Sequence, residues 1–129
     1  MPSPVETAVE TYVRAVEERD AAARAKLLAA CFAEDGRVVT RSRVIRGRDA
    51  VDAMIVRFQA DPEVAGIRMT SVVDAVGMTF RYRSVVVRRD GSTLEFFDAG
   101  EIDSAGQIVT LLVFAGPLAE LQAGVGDDV

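Results

Sequence analysis

Two side chains carry the chemistry open to this sequence. Asp98 lies inside the apolar run LEFFDAGEI, residues 94–102, where Phe96, Phe97 and Ala99 surround it. Burial disfavours the charged form of an acid, so a carboxyl in such a strand keeps its proton to higher pH and becomes a hydrogen-bond donor. Tyr12, within ETYVRAVEERD, supplies a phenol. A neutral acid and a phenol aimed at one point can stabilise an enolate or phenolate oxygen. Apolar neighbours on both sides leave the face of Asp98 open, and a carboxyl satisfied by backbone or turned to solvent fits the same pattern.

Other chemistries are excluded or weakened by what is missing. The chain has no histidine, which removes His-based triads and His-ligated metals. No metal site and no cofactor are expected. Cys31 is the single cysteine; on an apolar helix face with no histidine to activate it, it reads as a buried structural thiol, and a reducing compartment suits it. Glu34 and Asp35 in EDG read as a solvated turn. Asp74 reaches either a pocket or solvent. The series Arg37, Arg41, Arg43, Arg46, Arg48 reads as a solvated face rather than an anion site. A formal net charge of -5 argues against nucleic-acid or anionic-membrane partners. The acidic, amphipathic start MPSPVETAVETYV has no signal-peptide pattern, and no run approaches the roughly 20 apolar residues of a membrane span. A cytoplasmic location is expected.

These residues need elements to hold them. Ser3-Pro4-Val5-Glu6 is a capping pattern, and Val5, Ala8, Val9, Tyr12 and Val16 recur at helical spacing, giving a first helix ending near Arg19. Asp20 caps a second helix through Phe32, stopped by Glu34-Asp35-Gly36. RVVTRSRVI, residues 37–45, reads as one alternating strand with Val38, Thr40, Ser42 and Val44 on one side. Gly47-Arg48-Asp49 opens a third helix, lined by Val51, Met54, Ile55 and Phe58, that Asp61-Pro62 breaks. Strands follow over IRMTSVVDAV, MTFRYRSVVVRR, TLEFFDAGEID and IVTLLVFAG, with Gly77, Asp90-Gly91 and Ser104-Ala105-Gly106 as hairpin turns. The length of 129 residues suits one domain, here residues 1–118, with 119–129 as a frayed tail. An α+β fold follows, because the curved antiparallel sheet has three helices as its only cover; such a cone encloses a pocket.

Over roughly Val5 to Leu118 the sequence resembles the nuclear transport factor 2-like superfamily, through the opening helix, CFAEDGRVV, RGRDAV and GQIVTLLVFAGPL. These are fold-level markers that host many functions. Within it, the pattern is most similar to the ketosteroid isomerases and their SnoaL-like, polyketide-cyclase-like relatives. The resemblance implies a cone-shaped, cystatin-like α+β barrel and an oxyanion hole made by Tyr12 and a protonated Asp98, this family being a standing example of a carboxylic acid kept neutral to donate a hydrogen bond. It puts Thr40 where the family's base aspartate stands, and threonine does not shuttle a proton at neutral pH as a carboxylate does.

The resemblance further implies a pocket lined by Phe58, Phe80, Tyr82, Leu111 and Val113 that takes a flat hydrophobic molecule, steroid- or polyketide-like, with one oxygen at its buried end. It also implies a homodimer through the outer sheet face, to which FRYRSVVV contributes. Three functions are compatible with these residues: isomerisation through an enolate, a non-catalytic ligand-binding or dimerisation domain, and an epoxide-hydrolase or polyketide-cyclase-like enzyme using acid catalysis from Asp98.

Overall fold

The computed structural model describes residues 1–121. Helix α1 (Pro4–Glu17) starts where Ser3 Oγ accepts the Glu6 amide at 3.1 Å, with Pro4 in the first turn. It ends two residues short of the expected Arg19. Helix α2 (Ala21–Cys31) is capped by Asp20, whose carboxylate accepts the Ala23 amide at 2.9 Å. Helix α3 (Arg48–Ala60) begins after Gly47, which has φ 90° and offers no side-chain cap. Polar side chains tie the three together. Arg24, 4% exposed, pairs with Asp52 on α3 at 2.6 Å and donates to the Glu18 carbonyl at 2.9 Å. Gln59 donates to the carbonyls of Val16 and Glu18 at the end of α1.

The strands are β1 (Phe32–Val39), β2 (Val44–Arg46), β3 (Val64–Met69), β4 (Asp74–Val76), β5 (Thr79–Arg88), β6 (Thr93–Ile102) and β7 (Ile108–Ala115). They form one curved sheet in the order β2-β1-β7-β6-β5-β3, with β4 also on β5. Every pairing is antiparallel except β1 with β7, which is parallel. Gly77, Gly91 and Gly106 all have positive φ at the expected hairpin turns. The helices cover the inner face, and the core they share with it includes Val9, Leu28, Phe32, Val38, Val51, Ile55, Ile108 and Leu111, each at most 2% exposed.

Three expectations are corrected. Glu34-Asp35-Gly36 is not a turn: the chain passes from α2 directly into β1 at Phe32, and these residues lie in the strand beside a register shift against β7. A Cβ at Gly36 would lie 2.6 Å from the Phe32 ring and 2.8 Å from the Ile108 carbonyl oxygen, so glycine here permits close approach of two strands rather than chain reversal. Residues 37–45 are not one strand, because the Thr40 amide bonds the Arg43 carbonyl and reverses the chain. Val38 therefore pairs with Ile45, both buried, while Val44 is 54% exposed. The turn resets the alternation by one residue, which moves every later side chain to the other face. Residues 67–76 likewise divide into β3 and β4, which share β5 as a partner.

Of the expected tail, residues 122–129 lie outside the described residues. Leu118 and Leu121 are exposed. Among the described residues, no helix is long and apolar enough to cross a membrane.

Candidate functional site

Register decides what faces the helices. Tyr82 on β5, Asp98 on β6 and Val113 on β7 are direct cross-strand partners, so their side chains share one face. Phe80, Gly100 and Leu111 form the neighbouring row on that face. Phe80, Tyr82 and Leu111 are buried in the core, so this is the inner face. Burial falls along this face toward the end of β7: Leu111 is fully buried, Val113 half-buried and Ala115 exposed. Asp98 is 7% exposed, one row below half-buried Phe96.

The carboxyl is held by one neighbour. The Tyr82 hydroxyl donates to Asp98 Oδ2 at 2.9 Å. The other oxygen, Oδ1, is buried and has no hydrogen-bond partner. A buried carboxyl oxygen without a partner is costly. Burial pushes the Asp98 carboxyl up to about 6, and the Tyr82 hydrogen bond opposes that rise. Tyr12 and Tyr82 are both held above the ordinary phenol range, first by burial and then by the nearby negative charge of Asp98. Both phenols therefore remain neutral donors across the physiological range.

Local sequence explains the arrangement. Phe80, Tyr82 and Ser84 alternate with exposed Thr79, Arg81 and Arg83, which commits the tyrosine to the interior. Gly100 clears room for the floor: a Cβ there would collide with the Thr110 carbonyl oxygen and lie 2.7 Å from the Phe80 ring. Phe80 then stacks on Tyr82 with ring centres 6.1 Å apart and planes inclined by 19°. Tyr12 reaches the same core from α1 and packs against Phe32, with ring centres 6.1 Å apart.

The expected site residues distribute unevenly. Tyr12, Tyr82, Asp98, Phe80 and Leu111 come together in the interior, with Phe58 and Val113 half-buried beside it. Tyr82, expected only as lining, is the direct partner of Asp98. That pairing was available from the Asp90-Gly91 hairpin, whose register sets Val87 opposite Thr93 and hence Tyr82 opposite Asp98. Thr40 lies just beyond β1, and its hydroxyl is engaged in the turn, donating to the Arg43 carbonyl at 3.2 Å and accepting the Arg43 amide at 3.3 Å.

Cys31 is 1% exposed, with its thiol pushed up to about 12 by burial, which makes it a poor nucleophile. Asp74 faces solvent and pairs with Arg81 at 2.7 Å. Arg48 leaves the arginine series to cap α2, donating to the Phe32 carbonyl at 2.7 Å. An open depression of about 480 Å³, bordered by Arg37, Arg81, Glu101 and Leu112, reaches Phe80, Ala99 and Gly100 but not Asp98 itself. Among the described residues, no group of three His, Cys, Asp or Glu side chains is placed to hold a metal.

No protein-family profile matches the chain, and no curated protein matches it. Solved structures do. A candidate isomerase of the SnoaL-like family from Agrobacterium tumefaciens superposes with a TM-score of 0.79 at 22% identity, over 88% of this chain and 98% of that one. A protein of unknown function with a cystatin-like fold from Methylobium petroleophilum gives 0.73 at 18% identity, over 93% and 81%. A nuclear transport factor 2-like protein of unknown function from Burkholderia pseudomallei gives 0.67 at 18% identity, over 88% and 92%. The chain thus has the nuclear transport factor 2-like, cystatin-like α+β fold, similar to a SnoaL-like structure.

Proposed function

We propose that the chain is a ketosteroid-isomerase-like pocket that binds a flat, apolar ligand and polarises its carbonyl oxygen through neutral Asp98, with Tyr12 as a second donor. The observation that carries this reading is the Asp98 carboxyl, 7% exposed, with Oδ1 buried and unpartnered on the inner, apolar face of the sheet. A ligand oxygen placed there satisfies the orphaned position. Below about pH 6, where the acid keeps its proton, Oδ1 donates to the carbonyl, and as negative charge grows on that oxygen during enolisation the bond strengthens. Phe58, Phe80 and Val113 offer the flat ligand apolar surface. The proton leaving carbon needs an acceptor, and the Thr40 hydroxyl, committed to its turn, does not supply one.

That observation also favours a second reading, a pocket that binds without turnover. A cyclase-like or epoxide-opening reaction using Asp98 as the acid rests on the same carboxyl. The reading includes a homodimer through the outer sheet face, where the cross-strand pair Phe97 and Phe114 is 38% and 52% exposed.

Titration of the protein with a steroidal phenol, an analogue of the enolate, tests the pocket. Asp98→Ala is expected to weaken binding roughly 10- to 100-fold, as loss of a charge-assisted hydrogen bond does, and Tyr12→Phe by less. Binding indifferent to both changes would remove the oxyanion site. Thr40→Asp separates the two readings: isomerisation of a β,γ-unsaturated ketosteroid that appears only in this variant marks an unarmed site. No gain, with folding and binding retained, favours a binding domain.

A further inference from the structure

The Tyr82–Asp98 pair does more than fill the interior. A phenol has one proton to give, and Tyr82 gives it to Oδ2 of Asp98 at 2.9 Å. Oδ2 is therefore committed, and Oδ1, which has no partner, is the oxygen left to meet anything entering the cone. When the acid is neutral its proton belongs on Oδ1, because Oδ2 already accepts one; when it is ionised, Oδ1 is a bare acceptor. Tyr82 favours the second state, since a donor stabilises a carboxylate more than an acid.

The surroundings supply nothing to cancel this. The groups facing Asp98 are Tyr82 from β5 and Tyr12 from α1, with Cys31 of α2 behind both phenols. Tyr12, Tyr82 and Cys31 all keep their protons to high pH. The two ion pairs among the described residues, Arg24–Asp52 and Arg81–Asp74, do not involve Asp98. The protonation of one carboxyl thus decides whether the buried end of the cone offers a hydrogen or seeks one.

We propose that Tyr82 is a positioning residue: by holding Oδ2 it presents Asp98 to ligands through Oδ1 alone, and by favouring the carboxylate it makes the pocket take carbonyl ligands from acidic solution and ammonium or other donor ligands from neutral solution. This rests on the reading that Asp98 meets a ligand inside the cone. It adds a residue and a selection rule to that reading.

Two probes of one skeleton test it: a 3-ketosteroid, which only accepts, and the matching 3-aminosteroid, whose ammonium only donates. For the parent protein, ketone binding is flat in acid and weakens by about tenfold per pH unit above the Asp98 midpoint, while amine binding strengthens up to that midpoint and then levels. Tyr82→Phe keeps the ring on Phe80 and removes the donor. The break in both profiles moves up by about one pH unit, a roughly tenfold gain in proton affinity. Asp98→Asn abolishes the pH dependence of both probes.

The Asp98 midpoint is also read without ligand, from the side-chain carboxyl carbon by NMR, in the parent and in Tyr82→Phe. An unchanged midpoint overturns the role given to Tyr82. A midpoint that rises while neither probe binds at any pH overturns the pocket reading and the selection rule with it, and leaves the assignment of Oδ2 to Tyr82 standing.

Discussion

A carboxyl that loses hydration on folding works against the fold whenever it is charged. Asp98 moves from an ordinary value of 3.8 to about 6, an order-of-magnitude penalty of about 3 kcal/mol on the ionised native state. The sign follows from linkage. The folded acid binds its proton more tightly than the unfolded one, so its contribution to stability is full below about pH 4 and lost as pH rises through about 6. Asp98→Asn cannot ionise. Urea denaturation is expected to show the variant gaining on the parent by roughly 2–2.5 kcal/mol between about pH 4 and pH 7, and a constant difference across that range would mean the carboxyl is not desolvated. A residue that costs stability in its charged form suits a site more than a scaffold.

The inward placement of Asp98 was not legible from its own strand, where Phe96 and Phe97 make both faces apolar. It was legible one strand earlier, because β5 alternates cleanly and its hairpin register carries across.

At the scale of elements, backbone approaches are as consequential as side chains. Gly100→Ala forces a methyl against the Thr110 carbonyl and the Phe80 ring, so thermal or denaturant unfolding should register a loss of about 1–3 kcal/mol. Ligand affinity should fall in the folded fraction too, since Phe80 supports Tyr82. Arg24→Met tests the helical cover: it leaves Asp52 without its partner and removes one of the two donors to the Glu18 carbonyl, Gln59 being the other, with an expected cost of about 1–3 kcal/mol.

The first two helices were readable from their caps, the third from its apolar spacing and the Asp61-Pro62 stop, and the hairpins from their glycines, since all rest on local chemistry. β1 was not, since it pairs along its length, from Phe32 to Val39, with β7, more than seventy residues away in the chain. The periodicity of residues 37–45 misled for a related reason: Thr40 to Arg43 contain no glycine or proline to announce a turn, and the reversal is made by a threonine hydroxyl and amide.

At the scale of the molecule, the helices bury one face of the sheet and leave the other to its own resources. Phe97 and Phe114 lie side by side on that outer face, with half-buried Ala99 and Leu112 as the next pair along. If a second copy covers it, Phe114→Arg should shift sedimentation toward the monomer while leaving the circular dichroism spectrum unchanged. A parent protein that sediments as a monomer at high concentration would dismiss the dimer.

The parallel seam between β1 and β7 has a further consequence. Phe32 and Val38, both at 0% exposure, lie on a strand whose inner neighbour is the last one in the sheet. During synthesis a ribosome that has made the helices and the first six strands holds a chain whose earliest strand still lacks that neighbour. Long-range pairings of this kind form late and leave apolar surface open meanwhile. The sheet therefore closes only once residues 108–115 have cleared the exit tunnel, and until then the inner edge of β1 stays unpaired.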